Sequence, residues 1–192
     1  EKRYLQSVDG FIFNSQTTKS VVNGLMVNEK PSVVAYPPTD RFGEMVSEEE
    51  IKARASREPL DMLFLGKVIH RKGLHILLNA LASVECRLDV AGSLAPEPKY
   101  AQEIQRQASV LGLRSSVTFH GALNNEALIK MFKEAHLLVV PSSYEGFGIV
   151  YLEGMGFGLP AIGTTAGAAS EIITDGETGY LIAPDDSQTL AT

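Results

Sequence analysis

The feature that most restricts this chain is an alternation that starts near Leu60 and runs to the end. Short apolar runs rich in β-branched and aromatic residues take turns with stretches whose apolar residues recur every three or four positions. The runs are 61–65, 87–91, 117–119, 137–140, 159–164 and 178–182. Between them, Leu74, Leu77, Leu78 and Leu81 share one helix face, as do Ala101, Ile104, Ala108 and Leu111, and then Leu128, Phe132 and Ala135. Strands joined through helices lie parallel, and strands covered on both faces read as continuous apolar runs. The pattern predicts an α/β protein, a Rossmann-like doubly wound parallel sheet with helices on both faces.

Ligands of such sheets bind outside the carboxyl ends of the strands. Residues able to do chemistry follow the strands here: Gly66-Lys67, Gly92-Ser93, His120-Gly121, Ser142 to Gly148, and Thr164 to Gly167. They are expected to meet on one rim. Within Leu137 to Thr164, Pro141 stops a buried strand, a loop of small and polar residues follows, and Ile149 to Phe157 carries helical spacing at Ile149, Leu152 and Gly156. Glu145 stands in the loop, and Glu153 stands about a turn and a half inside the helix. The N–H groups of Gly146, Phe147 and Gly148 are expected to be unpaired at the helix start, where such groups bind anions or sugar oxygens. The segment Gly66 to Gly73 adds Lys67, Arg71 and Lys72. Lys72 is expected at a helix start, where the dipole also favours an anion, and Arg71 is read as a surface residue.

Glu145-Gly146-Phe147-Gly148, with Glu153 eight positions after Glu145, Pro141-Ser142 ahead and Gly158-Leu159-Pro160 behind, resembles the Glu-x7-Glu signature of retaining nucleotide-sugar glycosyltransferases of the family-4 type. Their fold is GT-B, and the resemblance implies its C-terminal, donor-binding half. It spans nearly the whole chain and is strongest at 66–73 and 141–160. It implies that Lys67 and Lys72 hold the donor's diphosphate, with Lys67 standing where the family usually has arginine. Lysine keeps the charge and loses the bidentate fork. The resemblance gives the ribose hydroxyls to Glu153, and the transferred sugar and diphosphate to Glu145 and the N–H groups of Phe147 and Gly148. Gly92, His120 and Gly121 would lie near the base, mainly through backbone, and Gly66, Gly146 and Ile149 complete the donor-binding set. Lys67, Lys72 and Glu145 are the expected catalytic residues. The segment Thr164 to Glu171 is poorer in glycine than its family counterpart, and Glu171 is left outside the site.

The implied reaction moves a sugar, with UDP or GDP as carrier, to an acceptor hydroxyl in polysaccharide biosynthesis. The nucleotide sugar is a substrate, so no cofactor is expected. The chain has no Asp-x-Asp pair for a metal-held diphosphate, and His70, His75, His120 and His136 lack zinc spacing. A metal-independent reaction, with lysines neutralising the leaving group, is expected. Gly146-x-Gly148 lacks the third glycine of a dinucleotide motif, and no Gly-x-Ser-x-Gly elbow occurs. A nucleotide-sugar epimerase half of the same paired-domain fold, or a nucleotide-binding module without catalysis, are the alternative readings.

A net charge of −6 argues against nucleic acid as a partner and requires local cations for any phosphate ligand. A single cysteine, Cys86, within an apolar pattern excludes an intrachain disulfide and fits a core position in a reducing, cytoplasmic setting. Glu1 is not an initiator methionine, and Ser187 to Thr192 reads as the first turn of a helix, so a longer protein is expected. Residues 1–30 are expected to end the acceptor-side domain and supply the linker, and 31–192 to form the nucleotide-sugar domain. Lys30-Pro31 and Pro37-Pro38 stiffen the junction. Within the first part a helix over Glu1 to Val8, a strand over 10–14, a helix capped by Ser15 and a strand over Val33 to Tyr36 are predicted, then a loop over Asp40 to Ser47 and a charged surface helix over Glu48 to Arg57. By the resemblance, the acceptor pocket and a catalytic histidine belong to the other domain. This chain alone is expected to bind donor without efficient turnover, and any membrane contact to come through that domain.

Overall fold

The structure is a computed structural model that describes residues 2–38 and 41–192. Glu1 and Asp40, which open the first predicted helix and the predicted loop, lie outside the described residues. The chain begins with α1 (Lys2–Ser7), β1 (Phe11–Phe13), α2 (Gln16–Leu25), β2 (Ser32–Val34) and α3 (Glu48–Ala55). Then come β3 (Leu60–Leu65), α4 (Leu74–Leu81), β4 (Cys86–Ala91), α5 (Pro98–Val110), β5 (Val117–Gly121) and α6 (Asn125–Glu134). The last elements are β6 (Leu137–Val139), α7 (Ile149–Gly156), β7 (Ala161–Thr164), β8 (Gly179–Ile182) and α8 (Ser187–Leu190).

Strands β3 to β8 form one sheet in the order β5-β4-β3-β6-β7-β8. Every pair in it is parallel. The chain steps outward from β3 to β5, crosses back to β6 beside β3, then steps outward on the other side. Met62 pairs with Leu137 and Leu63 with Leu138 across that join. The loops leaving β3 and β6 therefore lie at the point where strand order reverses, where this class of sheet places its ligand site.

Consecutive residues Leu63 and Phe64 are both fully buried, as are Leu138, Val139 and Val140, so both faces of the central strands are covered. Leu74, Leu77, Leu78 and Leu81 of α4 pack into this core as their spacing predicts. Cys86 is buried in it, and burial pushes its thiol pKa up. Helix α7 departs from prediction. Its buried residues are Tyr151, Glu153 and Gly154, while Ile149 is exposed. Two local fits decide this. The bare Gly154 lies against Leu138, where an added Cβ would stand 3.0 Å from a methyl carbon, and the Tyr151 hydroxyl donates to Val140 O at 2.8 Å.

The N-terminal elements pack as a smaller unit. Strands β1 and β2 pair in parallel with each other, from Phe11–Ser32 to Phe13–Val34. Ser15 caps α2 as predicted, its Oγ accepting from Thr18 N–H at 2.9 Å. Helix α3 carries a capping box between Ser47 and Glu50. It is not the wholly exposed helix that its charge suggested, because Arg54 is buried and donates to the carbonyls of Phe132 (3.2 Å), Phe157 (3.0 Å) and Gly158 (3.0 Å). Those carbonyls end α6 and α7, where a guanidinium satisfies orphan acceptors and meets two helix dipoles favourably.

Candidate functional site

The loops after β3, β6 and β7 interlock at the carboxyl rim. Gly73 comes so close to the loop after β6 that a Cβ there would lie 2.0 Å from Pro141 O. Gly167 meets Glu145 in the same way, at 2.1 Å from its carbonyl, and with φ of +87°. Backbone bonds complete the contact: Ser143 N–H donates to Arg71 O at 2.8 Å, Glu145 N–H to Ala166 O at 3.2 Å, and Ala168 N–H to Glu145 O at 2.8 Å. The buried Thr164 hydroxyl donates to Ser142 O at 2.6 Å. The loop bearing Glu145 is thus held from both sides.

Glu145 is 5% exposed, and its Oε1 receives Lys72 Nζ at 2.5 Å and the fully buried Ser142 hydroxyl at 2.6 Å. Arg71 donates to Tyr144 O and stands 3.9 Å from Glu145 Oε2. A carboxylate this far from water is costly unless paired and hydrogen-bonded, and here it is both. The stem of Lys72 runs over Gly66, whose Cβ would meet Lys72 Cε at 3.3 Å. Lys72 closes a 3-10 turn over His70–Lys72, one residue ahead of α4. Lys67 is exposed and makes no ion pair among the described residues.

Gly148 caps α7 in a left-handed conformation without a side-chain bond. Among the described residues, no acceptor takes the N–H groups of Gly146, Phe147 or Gly148. The Gly146 carbonyl, by contrast, accepts from Ser15 Oγ at 2.7 Å. The Phe147 ring is buried against Tyr36, with centroids 5.7 Å apart. Ile149 faces outward at the rim and is 39% exposed, which suits a residue beside a ligand better than one in the core.

Glu153 lies on the inner side of α7 and pairs with Arg41, Nη1 to Oε1 at 2.7 Å. On the outer side of β3, Gly92 N–H donates to Gly121 O at 2.8 Å, joining the loops after β4 and β5. His120 Nε2 stands 2.6 Å from Asp89 Oδ1. The structure therefore joins Lys72, Glu145 and the bare N–H groups directly, and sets Gly92, His120 and Gly121 along the β4–β5 part of the same rim. Of the residues at or near the rim, Arg41 escaped the sequence reading, and the contacts of Ser142, Arg71 and Glu171 were not foreseen. Ser142 sits three positions before Glu145, and its hydroxyl was the only local signal. Arg71 is a surface residue as read, 46% exposed in its side chain, and from there it also reaches the Glu145 loop. Arg41 and Glu171 find their partners through long-range contacts that no spacing foretells.

Comparison with known proteins agrees with this geometry. Residues 46–192 match the family described as Glycosyl transferases group 1, and the chain belongs to that family. It is the C-terminal domain of a GT-B fold. The chain is 33% identical over 187 residues to D-rhamnosyltransferase WbpZ of Pseudomonas aeruginosa, covering 95% of this chain and 48% of that one. It is 31% identical over 200 aligned positions to O-antigen chain mannosyltransferase C of Escherichia coli, covering 99% of this chain and 51% of that one. The chain thus spans about half the length of these relatives. Among solved structures, Anabaena Alr3699/HepE in complex with UDP and glucose superposes with a TM-score of 0.82 at 27% identity, covering 96% of this chain and 52% of that one. Sucrose-phosphate synthase of Thermosynechococcus elongatus does so with a TM-score of 0.85 at 25% identity, covering 98% and 49%.

Proposed function

We propose that this chain is the donor-binding half of a retaining, metal-independent glycosyltransferase that moves a hexose from a nucleoside-diphosphate sugar, with UDP or GDP as carrier, to an acceptor hydroxyl. The observation that carries the reading is the Lys72–Glu145 pair beside the unengaged N–H groups of Gly146, Phe147 and Gly148. The pair is a cation and an acid waiting for separate partners. An entering diphosphate draws Lys72 toward its oxygens, and Glu145, freed on one side and still held by Ser142, turns its lone pairs to sugar hydroxyls. Lys67, exposed on the same loop, adds a second charge.

As the glycosidic bond breaks, negative charge grows on the departing diphosphate. Lys67, Lys72 and the N–H groups ahead of α7 are positioned to stabilise it, each such donor contributing on the order of 3 kcal/mol. The acceptor hydroxyl attacks on the face the leaving group departs from, and a phosphate oxygen takes its proton. The acceptor is held by the rest of a longer protein, so this chain alone binds donor with little turnover, in a cytoplasmic setting. The UDP and glucose held by the HepE structure support a nucleotide-sugar donor. The junction between the acceptor-side end and the donor domain fits best at Pro37-Pro38, after β2, because β2 pairs with β1 and not with the large sheet.

The test is calorimetric titration with UDP, GDP and ADP. Lys72→Ala is expected to weaken the nucleoside diphosphate that binds best by about tenfold or more, the loss typical of a charge-assisted contact. An affinity equal to that of the unaltered chain, in a variant that still melts cooperatively, would count against the assignment.

A further inference from the structure

Under the reading above, ribose recognition falls to Glu153. Yet its side chain is only 3% exposed, and its Oε1 already holds Arg41. Two ribose hydroxyls cannot reach a carboxylate so covered unless something moves. The neighbouring Arg41 side chain is 45% exposed and has a free path to water. Its second arm donates to Asn125 Oδ1 at 3.0 Å, and Asn125 opens α6 just beyond His120 and Gly121, which end β5. Arg41 therefore bridges α7 and the start of α6, across the face where a nucleoside on Glu153 has to lie. The residues that follow it, in contrast, are anchored. The ring of Phe42 packs edge-on against Phe132 at 5.6 Å and Phe157 at 5.7 Å, and Glu44 pairs with Lys133 at 2.7 Å. The guanidinium, held by Glu153 and Asn125 and lying 4.9 Å over the Phe42 ring, is half-exposed and can swing out to water while its neighbours stay in place.

We propose that Arg41 covers the ribose seat of the empty protein and competes with ribose for Glu153, so that it sets how strongly the site tells a ribonucleotide from an analogue without ribose hydroxyls. The inference rests on the assignment of this rim to a nucleotide. Binding exchanges one charge-assisted pair for hydroxyl hydrogen bonds to the same carboxylate, and the displaced guanidinium returns to water. Competition makes a distinct forecast, because a residue that merely touched the nucleotide would weaken binding when removed, whereas a competitor strengthens it.

The experiment compares the unaltered chain, Arg41→Ala and Arg41→Gln by calorimetry. The probes are the nucleoside diphosphate bound best among UDP, GDP and ADP, and its 2′,3′-dideoxy counterpart. Both variants are expected to bind the ribonucleotide about threefold tighter or more, the scale of a half-exposed ion pair, and the dideoxy form to gain less, so that the ratio of ribo to dideoxy affinity rises. On a Glu153→Gln background, Arg41→Ala should add nothing. A ratio of ribo to dideoxy affinity unchanged from the unaltered chain, or weaker binding of both probes, overturns the proposal. Should Arg41→Ala fail to fold, Arg41→Gln, which keeps a neutral donor at the site, decides it by the same criterion. Failure of the underlying reading looks different: no nucleoside diphosphate binds the unaltered chain, or Lys72→Ala binds it equally well.

Discussion

Around Glu145, side chains and backbone make opposite demands on space. Lys72, Ser142 and Arg71 crowd toward its carboxylate, while Gly167 keeps its carbonyl side bare. Gly176 has a similar backbone, with φ of +77°, but nothing lies within 4 Å of the place a Cβ would take. The two glycines separate conformational strain from collision. Gly176→Ala is expected to cost about 1–2 kcal/mol, the penalty of a left-handed alanine. Gly167→Ala should cost about 2 kcal/mol beyond that, because the β6 and β7 loops must move apart, and it should weaken nucleotide binding as well. Urea denaturation of both variants measures the difference, and equal losses would mean that the contact at Glu145 yields freely.

At the scale of elements, α2 is docked on the large domain through its N-terminus. Glu171 accepts from the N–H groups of Gln16 (2.9 Å) and Thr17 (2.7 Å), from the Thr17 hydroxyl (2.6 Å) and from Tyr36 OH (3.2 Å). A carboxylate at a helix start satisfies orphan donors and meets the dipole favourably. Burial pushes the Glu171 pKa up, but the hydrogen bonds from Thr17, Gln16 and Tyr36 outweigh it, and the net shift is down. A depressed folded pKa gives stability that is present above the unfolded value and lost as pH falls through the folded one. The docking is therefore expected to hold at neutral pH and to loosen below about pH 4, the ordinary range of a glutamate. Amide exchange at Gln16 and Thr17 reports it directly. Glu171→Gln should lower their protection at neutral pH and remove the acid-linked fall, whereas protection in the unaltered chain that stays level down to about pH 3 would show that Glu171 is not the clasp.

Over the whole molecule, the sheet order does what net charge opposes. The chain carries −6 overall, yet the crossing from β5 back to β6 sets the Lys67–Lys72 loop beside the Glu145 loop. Lys67, Lys72 and the bare amides act on a ligand at contact distance, whereas a repulsive global field falls off with screening. A ligand that binds only the folded state raises its stability by mass action. At about a hundredfold excess over Kd, a nucleoside diphosphate should raise the melting temperature by roughly 5–10 °C in a domain of this size. Under the proposed metal-free mechanism the shift should persist in EDTA. A shift that disappears on chelation would require a cation in the site and would sink that part of the proposal.

What the sequence determined by itself was everything carried by near neighbours. Apolar spacing placed α4, α5 and α6, β-branched runs placed the strands, Ser15 announced its cap, and Glu145 to Glu153 with Gly66 to Gly73 marked the rim. Those signals are legible because strand and helix periods and caps depend on residues a few positions apart. Helix α7 shows where this ends: its inner face follows the fit of Gly154 and Tyr151 to β6 and not apolar spacing. Only the tertiary structure decided the partners. Lys72 meets Glu145 across 73 positions, Arg41 meets Glu153 across 112, and Thr17 meets Glu171 across 154. Arg54, written into a charged helix, is buried at the ends of two others. Such pairs form only after the sheet order has chosen which loops become neighbours, and that choice minimises the free energy of the whole core, not of any one segment.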